Sequence, residues 1–176
     1  MSIRNIVTVL LVVVTTFSAK ASETKKALSD LGIELPEMNA PVANYVPAVR
    51  TGNLVFLAGA IAKDADGKFA KGKLGEDLSV EEGYEVARKV GVSLLAALLA
   101  EIGDLDKVVQ FVKVEGFVNC IDGFEKQSLV INGASDLFVQ VFGDKGKHAR
   151  FAVGVNALPF GAPVEISAVV EVADEE

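Results

Sequence analysis

The segment between Ser79 and Gly103 is the feature that most constrains the fold of this 176-residue chain. Ser79 and Glu82 form an S-x-x-E capping box, which is typical of a helix N-terminus, and Gly103 is a typical stop signal. Because apolar or small residues recur at steps of three and four between these limits, the pattern predicts one long helix that packs on a sheet. Those residues are Val80, Tyr84, Ala87, Gly91, Leu94 and Leu98.

Segments rich in Val, Leu and Phe on both sides of this helix predict five strands. The first two are separated by Thr51 and Gly52, which indicates a hairpin. A second helix is predicted over residues 127–142, although Gly133 weakens its first half. The predicted strands cover residues 45–50, 53–59, 107–120, 149–156 and 164–172.

Two of these strands have an alternation that separates their faces. In the third strand, one face is predicted to be wetter than the other, with Val112, Val114 and Gly116 alternating with Phe111, Lys113 and Glu115. In the last strand, one side is apolar throughout and carries Val164, Ile166, Ala168, Val170 and Val172. That side has to meet another apolar surface, but the alternation alone leaves open which side meets the helices.

The order strand, strand, helix, strand, helix, strand, strand predicts an α+β fold, with a mixed sheet and two helices on one face. Within one chain, the other face of such a sheet is uncovered. If that face is also apolar, self-association of the chain would bury it.

The N-terminal segment predicts export. Arg4 precedes an uncharged run over residues 6–17, and Ala19-Lys20-Ala21 follows as a small-x-small cleavage pattern, which is typical of a secretory signal peptide. We expect cleavage after Ala21, a periplasmic location and no membrane attachment afterwards; an uncleaved anchor is the alternative. The predicted organisation is a signal peptide (residues 1–21), a short helix and linker (22–40) and one domain (41–176).

Charge and composition exclude several classes of function. Residues 1–21 hold two basic residues and no acid, so the mature chain has 15 basic and 24 acidic residues and a formal charge of −9. Such a field repels nucleic acid, and no basic stripe offsets it. The single histidine, His148, and the single cysteine, Cys120, cannot build a His/Cys zinc site. We expect Cys120 to be buried at a strand end.

The sequence predicts neither a metal nor a cofactor, because no phosphate-binding, dinucleotide-binding or nucleophile-elbow motif is present. One alternation remains suggestive: on the fourth strand Arg150 shares a face with Ala152 and Gly154, which would leave an empty volume in front of a guanidinium. Arginine matches a carboxylate with two parallel hydrogen bonds. The alternative is an ordinary surface arginine.

Three further residues are candidates on weaker grounds. Glu165 shares a strand face with Ser167 and Glu171 and could position or deprotonate a water, or be a solvated strand glutamate. His148 precedes Arg150 by two residues and could flank the same site or lie on the surface. Tyr45 could offer a hydroxyl to a ligand or close the edge of the core.

The stretch from His148 to Pro159, HARFAVGVNALP, followed by Ala162-Pro163-Val164-Glu165-Ile166, resembles the signature of the Rid/YjgF family. The segment around Tyr45 and the run GNLVFLAG that ends at Gly59 resemble the N-terminal pattern of that family. Asn132 resembles its helix asparagine. The resemblance spans about residues 41–172 and looks closest to the endoribonuclease L-PSP/chorismate-mutase-like branch.

This resemblance implies a chorismate-mutase-like fold, a homotrimer, and sites for small carboxylates or imino acids between subunits. It implies hydrolysis of 2-imino acids or enamines to 2-oxo acids and ammonia, without a cofactor. Arg150 would hold the substrate carboxylate and Glu165 would help activate water. Tyr45, the backbone at Gly59, Asn132 and Ala152 would line the site.

The sequence also departs from the family pattern, at positions that make the site less polar. Ala152 stands where many members have Cys, Ala58 where they have Ser, and Ala60 and Pro47 where Gln is frequent. A bulkier or more apolar substrate, or weaker activity, would follow. The alternatives to an imine deaminase are a non-enzymatic trimeric binder of small carboxylates and, ranked last because of the negative charge, an endoribonuclease.

Overall fold

The computed structural model describes residues 22–38, 44–63 and 66–174. The predicted signal peptide, with its cleavage site after Ala21, lies outside these described residues. No helix within them is long and apolar enough to cross a membrane.

The predicted helices are confirmed. They are the short helix α1 (Glu23–Asp30) and the two long helices α2 (Val80–Ile102) and α3 (Gln127–Phe142), and α1 contacts α3. At the start of α2 the predicted capping box forms: the Ser79 hydroxyl accepts from the backbone N–H of Glu82 at 3.1 Å, and the Glu82 carboxylate accepts from the N–H of Ser79 at 2.8 Å. Gly103 ends α2 in the left-handed conformation, at φ 75°.

Five strands form one mixed sheet, as predicted. They are β1 (Ala48–Thr51), β2 (Leu54–Ile61), β3 (Val108–Asn119), β4 (Ala149–Val155) and β5 (Val164–Val172). The spatial order is β1-β2-β5-β3-β4, and every neighbouring pair is antiparallel except β3 and β4, which are parallel. β5 therefore lies in the middle of the sheet, between β2 and β3, although it is last in the sequence.

The first strand is shorter than predicted. It starts at Ala48 and leaves Tyr45 and Val46 outside the strand. Pro47 explains this limit: its carbonyl accepts from Ala58 N–H at 2.9 Å, but proline has no N–H with which to continue the ladder.

The apolar side of β5 faces the helices. Its alternate residues are buried, with at most 2% exposure: Val164, Ile166, Ala168, Val170 and Val172. Helices α2 and α3 pack on this side of the sheet, and α2 contacts both β5 and β2. The helix face of the sheet is therefore the one that forms the core.

The predicted alternation in β3 is wrong at its start. Phe111 is fully buried and stacks on Phe138 with ring centroids 4.4 Å apart, whereas Val112 is 40% exposed. The register with β5 shifts between Phe111 and Lys113, so a bulge inserts one residue and reverses the faces from that point. After the bulge, Val114 is buried and Lys113 is exposed, as predicted.

The second face of the sheet carries exposed apolar side chains in the described chain. We call it the open face. Four of its residues expose between 40% and 53% of their surface: Val49, Phe56, Val112 and Val153. Apolar surface of this kind marks sites of association, so the predicted self-association would take place here.

Close contact between α2 and α3 depends on Gly133, which is buried in the middle of α3. A Cβ atom at this position would overlap the carbonyl oxygen of Tyr84 and lie 2.9 Å from the backbone nitrogen of Arg88. Both obstacles are backbone atoms of α2, so they cannot rotate away. The glycine that weakens the helix locally is required by the packing of the two helices.

We expect Gly133→Ala to lower the free energy of unfolding by about 1–3 kcal/mol, because the overlap separates the helices. Gly91→Ala is a matched control, since the closest atom to a Cβ there would be the movable Cδ2 of Leu137, at 3.0 Å, and the nearest backbone atom, Ala134 Cα, is at an ordinary contact distance of 3.4 Å. Both changes gain roughly 0.5–1 kcal/mol of helix propensity, so Gly91→Ala should be close to neutral. Urea unfolding at one protein concentration measures both, and equal stability of the two variants would contradict the packing argument.

Candidate functional site

Arg150 lies on the edge strand β4 and points to the helix face. Its register partner on β3 is Val114, which pairs in turn with the buried Ala168, and paired residues of neighbouring strands share a face. The half-buried guanidinium donates through Nη1 to Asn132 Oδ1 and to Ser135 Oγ, each at 2.9 Å. Arg150 and Asn132, which the resemblance names as site residues, are thus in direct contact.

His148 supports this arrangement through Ser135. Its Nδ1 lies 2.7 Å from the carbonyl oxygen of Gly146, which can only accept, so Nδ1 carries the proton. Nε2 then accepts from the Ser135 hydroxyl at 3.0 Å, and Ser135 Oγ accepts from Arg150. Burial lowers the pKa of His148, the hydrogen bond to Gly146 opposes this, and Arg150 lowers it further. The imidazole is therefore neutral at pH 7 and fixes the orientation of Ser135.

We call Arg150, Asn132, Ser135 and His148 the arginine half-site. The hydrogen bond with Ser135 brings His148 into this half-site. Of the two alternatives that the sequence left open, His148 therefore flanks Arg150 and is not a separate surface residue. Ser135 was missed by the sequence analysis, although its spacing of three from Asn132 places both on one side of α3. The backbone of Ser128, one turn earlier, also accepts from Arg150 Nη2, at 3.3 Å.

The empty volume predicted beside Arg150 is only partly present. Ala152 lies on the same face and packs against the core. At Gly154, however, a Cβ atom would come within 2.8 Å of Cys120 Sγ and 3.0 Å of Gln127 Nε2. The end of β3 and the start of α3 close over this position, so the space there is already filled. Cys120 is buried just beyond β3, as predicted.

Glu165 lies on the open face. It pairs with Ile61 on β2 and with Phe117 on β3, and Phe117 pairs with Val153 on β4. The half-buried carboxylate has no hydrogen bond or ion pair to another described residue. Burial raises the pKa of Glu165. An unpartnered carboxylate with a raised pKa is a candidate for proton transfer.

Gly59 is the residue that allows Glu165 its position. A Cβ atom at Gly59 would overlap Glu165 Oε1, so only glycine lets the carboxylate lie against the backbone of β2. We call Glu165 and Gly59 the glutamate half-site. Tyr45 lies two residues before Pro47, whose carbonyl oxygen accepts from the N–H of Ala58, the neighbour of Gly59. The side chain of Tyr45 is 65% exposed.

The two other polar residues on the Glu165 face of β5 are engaged elsewhere. Ser167 donates to Glu115 Oε2 at 2.9 Å, and Glu171 accepts from Asn53 Nδ2 at 3.0 Å. On this strand face, Glu165 is the acid left for a ligand. No group of three or more His, Cys, Asp or Glu side chains among the described residues is arranged to hold a metal ion.

The sheet separates the two half-sites within one chain. Arg150 pairs with Val114 across the sheet and faces the helices, whereas Glu165 pairs with Phe117, which pairs with Val153 on β4. Because Val153 is three residues from Arg150 on the same strand, the side chains of Arg150 and Glu165 lie on opposite faces of the sheet. One chain therefore presents the guanidinium of Arg150 and the unpartnered carboxylate of Glu165 without bringing them together.

Comparison with known proteins gives matches over nearly all of this architecture. The family model described as "YjgF/chorismate_mutase-like, putative endoribonuclease" matches residues 25–171. Protein TCP17 of Trypanosoma cruzi is 46% identical over 145 residues, which are 82% of this chain and 91% of that protein.

Solved structures agree with the family match. The structure of protein Atu1372, of unknown function, from Agrobacterium tumefaciens has a TM-score of 0.79 and 41% identity, over 85% of this chain and 92% of that one. The structure of a protein from Shewanella oneidensis described as a "putative endoribonuclease" has a TM-score of 0.80 and 29% identity, over 85% of this chain and 99% of that one. With its α+β fold and a family match that includes both half-sites, this chain belongs to the YjgF/chorismate mutase-like family.

Proposed function

We propose that this protein hydrolyses 2-imino acids, or their enamine tautomers, to 2-oxo acids and ammonia. Arg150 would bind the substrate carboxylate, and Glu165 would position and deprotonate the water. The observation that carries the proposal is that the chain holds both a guanidinium with three hydrogen-bond partners and an isolated, half-buried glutamate of raised pKa. Membership of the family supports this reaction class.

An assembly of several copies would complete the site. Because Arg150 and Glu165 lie on opposite faces of one sheet, a single substrate reaches both only if they come from different chains. The open face, with Phe56, Val49 and Val153 exposed, is suited to burial against a second copy. We infer a homotrimer in which the arginine half-site of one copy meets the glutamate half-site of the next, as in a closed ring.

The reaction in such a site consumes one water molecule for each imine that is hydrolysed. The water oxygen adds to the imine carbon while the Glu165 carboxylate takes a water proton, and the C=N bond becomes a single bond. The nitrogen receives that proton, which gives an intermediate with a hydroxyl and an amine on the same carbon. Glu165 then takes the hydroxyl proton and passes it to the nitrogen, so that the C–N bond breaks and ammonia leaves as the C=O bond forms. Neither a metal nor a redox cofactor takes part in these steps.

The surroundings of Arg150 support its role as an anchor. Asn132 and Ser135 accept from the same Nη1, so they orient the guanidinium plane, and no carboxylate forms an ion pair with it among the described residues. Burial lowers the pKa of Arg150, while Asp136 raises it, and an arginine remains charged under such conditions. The positive charge is therefore available to an anionic ligand.

We expect Arg150→Ala to reduce kcat/KM for imine hydrolysis between about 30-fold and several thousand-fold, which corresponds to roughly 2–5 kcal/mol for a buried charge pair. The assay is ammonia release from imines that an amino-acid oxidase generates in situ. Arg50→Ala is the matched control, because it removes the same charge from the opposite edge strand, β1, where Arg50 bonds to Gly52 and Ala173. Equal rates for wild type and Arg150→Ala would refute the proposal.

The raised pKa of Glu165 predicts a pH dependence of activity. A base must be ionised to accept a proton, so kcat/KM should rise with pH through the raised pKa and be lost below it. We expect the acid limb of the wild-type profile to lie above the ordinary range of a glutamate. Glu165→Gln should have low activity and lack this limb; a limb retained in that variant would assign it to another group.

The same pKa shift predicts a change in stability. The folded state binds the Glu165 proton more tightly than the unfolded chain, so this group contributes less to stability as pH rises from the ordinary pKa through the raised one. Glu165→Gln should therefore raise the melting temperature at neutral pH, and the gain should vanish in acid. The control Glu171→Gln removes a hydrogen-bonded carboxylate and should give no such gain.

A binder of small carboxylates without turnover is the second candidate, because the arginine half-site is complete in one chain and does not involve Glu165. In that case 2-oxo acids would bind to wild type and to Glu165→Gln equally, and no imine would be hydrolysed faster than in buffer. RNA cleavage is disfavoured by the formal charge of −9 in the mature chain.

We further infer export to the periplasm, with Ser22 as the mature N-terminus and as the cap of α1.

A further inference from the structure

We propose that Phe69 and Phe160 form an aromatic shelf beside Glu165 that binds the planar side chain of aromatic 2-imino acids. This inference rests on the proposed function and names its substrate class. The arginine and glutamate half-sites together form the reaction site, and the shelf would bind the side chain of the substrate beside it. It starts from a strained and exposed residue that the reaction itself does not use.

Phe160 has an unusual backbone conformation. It lies in a single turn over Pro159–Gly161 at φ 58° and ψ 13°, and it is the one non-glycine with positive φ in the described parts of the chain. For a bulky residue this region is disfavoured by contact of Cβ with the backbone. The side chain is also 65% exposed, so burial in the core does not offset the strain. Strain of this kind is concentrated at functional sites.

The Phe160 ring has one face occupied and one face available. It stacks on Phe69 with ring centroids 4.4 Å apart and an angle of 16° between the planes. Lys63 Nζ lies 5.1 Å from the centroid of the Phe69 ring, so Phe69 is engaged by both neighbours. The exposure of Phe160 leaves its outer face to solvent, where another planar ring can stack.

Hydrogen bonds hold the loop that carries Phe160 in place. Gly161 O accepts from the backbone N–H of Gly72 at 3.1 Å. The buried Asn119 donates through Nδ2 to Ala162 O at 3.2 Å and to Gly72 O at 3.3 Å. The shelf is therefore fixed before a ligand arrives, which lowers the entropic cost of binding.

The strand register places the shelf on the same side of the sheet as Glu165. Ile61 pairs directly with Glu165, and Lys63 follows two residues later, about 7 Å along the chain, and so points to the same side. Lys63 in turn forms an antiparallel bridge with Phe69. Phe160 stacks on Phe69 and precedes Glu165 by five residues. A substrate whose reacting carbon lies at Glu165 can thus extend its side chain towards the shelf.

The chemistry of the shelf selects for an aromatic group. The ammonium of Lys63 disfavours a cationic side chain nearby, whereas a neutral aromatic ring can stack on Phe160. Ala58 and Ala152, which replace polar residues of the family pattern, also favour a less polar substrate. We therefore expect imines of aromatic amino acids to be preferred over the imine of alanine by about tenfold or more in kcat/KM.

The test compares the imines of phenylalanine and alanine as substrates of wild type, Phe160→Gly and Phe160→Trp. Glycine suits the positive φ, so Phe160→Gly removes the ring without adding strain. Val109→Ala is the control, since it removes another exposed apolar side chain, at the opposite end of β3 from Phe117, the partner of Glu165. We expect Phe160→Gly to lose about tenfold with the phenylalanine imine only, and Phe160→Trp to retain the preference. Equal losses with both imines, or no loss, would overturn the shelf.

A binding measurement separates failure of the shelf from failure of the proposed function. Calorimetric titration with phenylpyruvate and pyruvate needs no turnover. If wild type hydrolyses no imine but binds phenylpyruvate more tightly, and Phe160→Gly abolishes that preference, the shelf stands and the hydrolase proposal fails. If wild type hydrolyses imines but binds the two 2-oxo acids equally, the shelf is wrong and the hydrolase proposal stands.

Discussion

The insertion of β5 between β2 and β3 is the constraint on which the rest of this structure depends. Strand alternation then gives every residue of β5 to one of two faces. The helices cover only one face, so Ile166 and the other alternate residues of β5 form the core, while Glu165 is left on the open face. On the edge strand β4 the same alternation turns Arg150 towards the helices. The fold thus separates the guanidinium of Arg150 from the carboxylate of Glu165 by the thickness of the sheet.

Local signals in the sequence were sufficient for the elements but not for their arrangement. The capping box at Ser79, the Thr51-Gly52 turn and the apolar periodicities act within a few residues, so all predicted helices and strands are present. The reversal at Phe111 and Val112 was not predicted because a bulge arises from register with β5, sixty residues away in sequence. The face that meets the helices is likewise decided by long-range pairing.

The candidate site was predictable to the same degree. The resemblance named Asn132 and Arg150 as residues of one site, and in the structure they bond at 2.9 Å. Ser135 and the neutral His148 were not assigned to that bond, because their role depends on a tautomer that only the contact with Gly146 reveals. The aromatic pair of Phe69 and Phe160 joins two loops that are 91 residues apart in sequence, and no local pattern predicts such a contact.

The central claim is that one reaction site takes Arg150 from one chain and Glu165 from another. Co-expression of Arg150→Ala and Glu165→Gln chains with different affinity tags, followed by purification through both tags, gives mixed assemblies. In a closed ring of three copies, every mixed assembly has one of its three sites intact, so about a third of the sites are restored. We predict imine hydrolysis at about that fraction of the wild-type rate, whereas mixed assemblies as inactive as either variant alone would contradict the account.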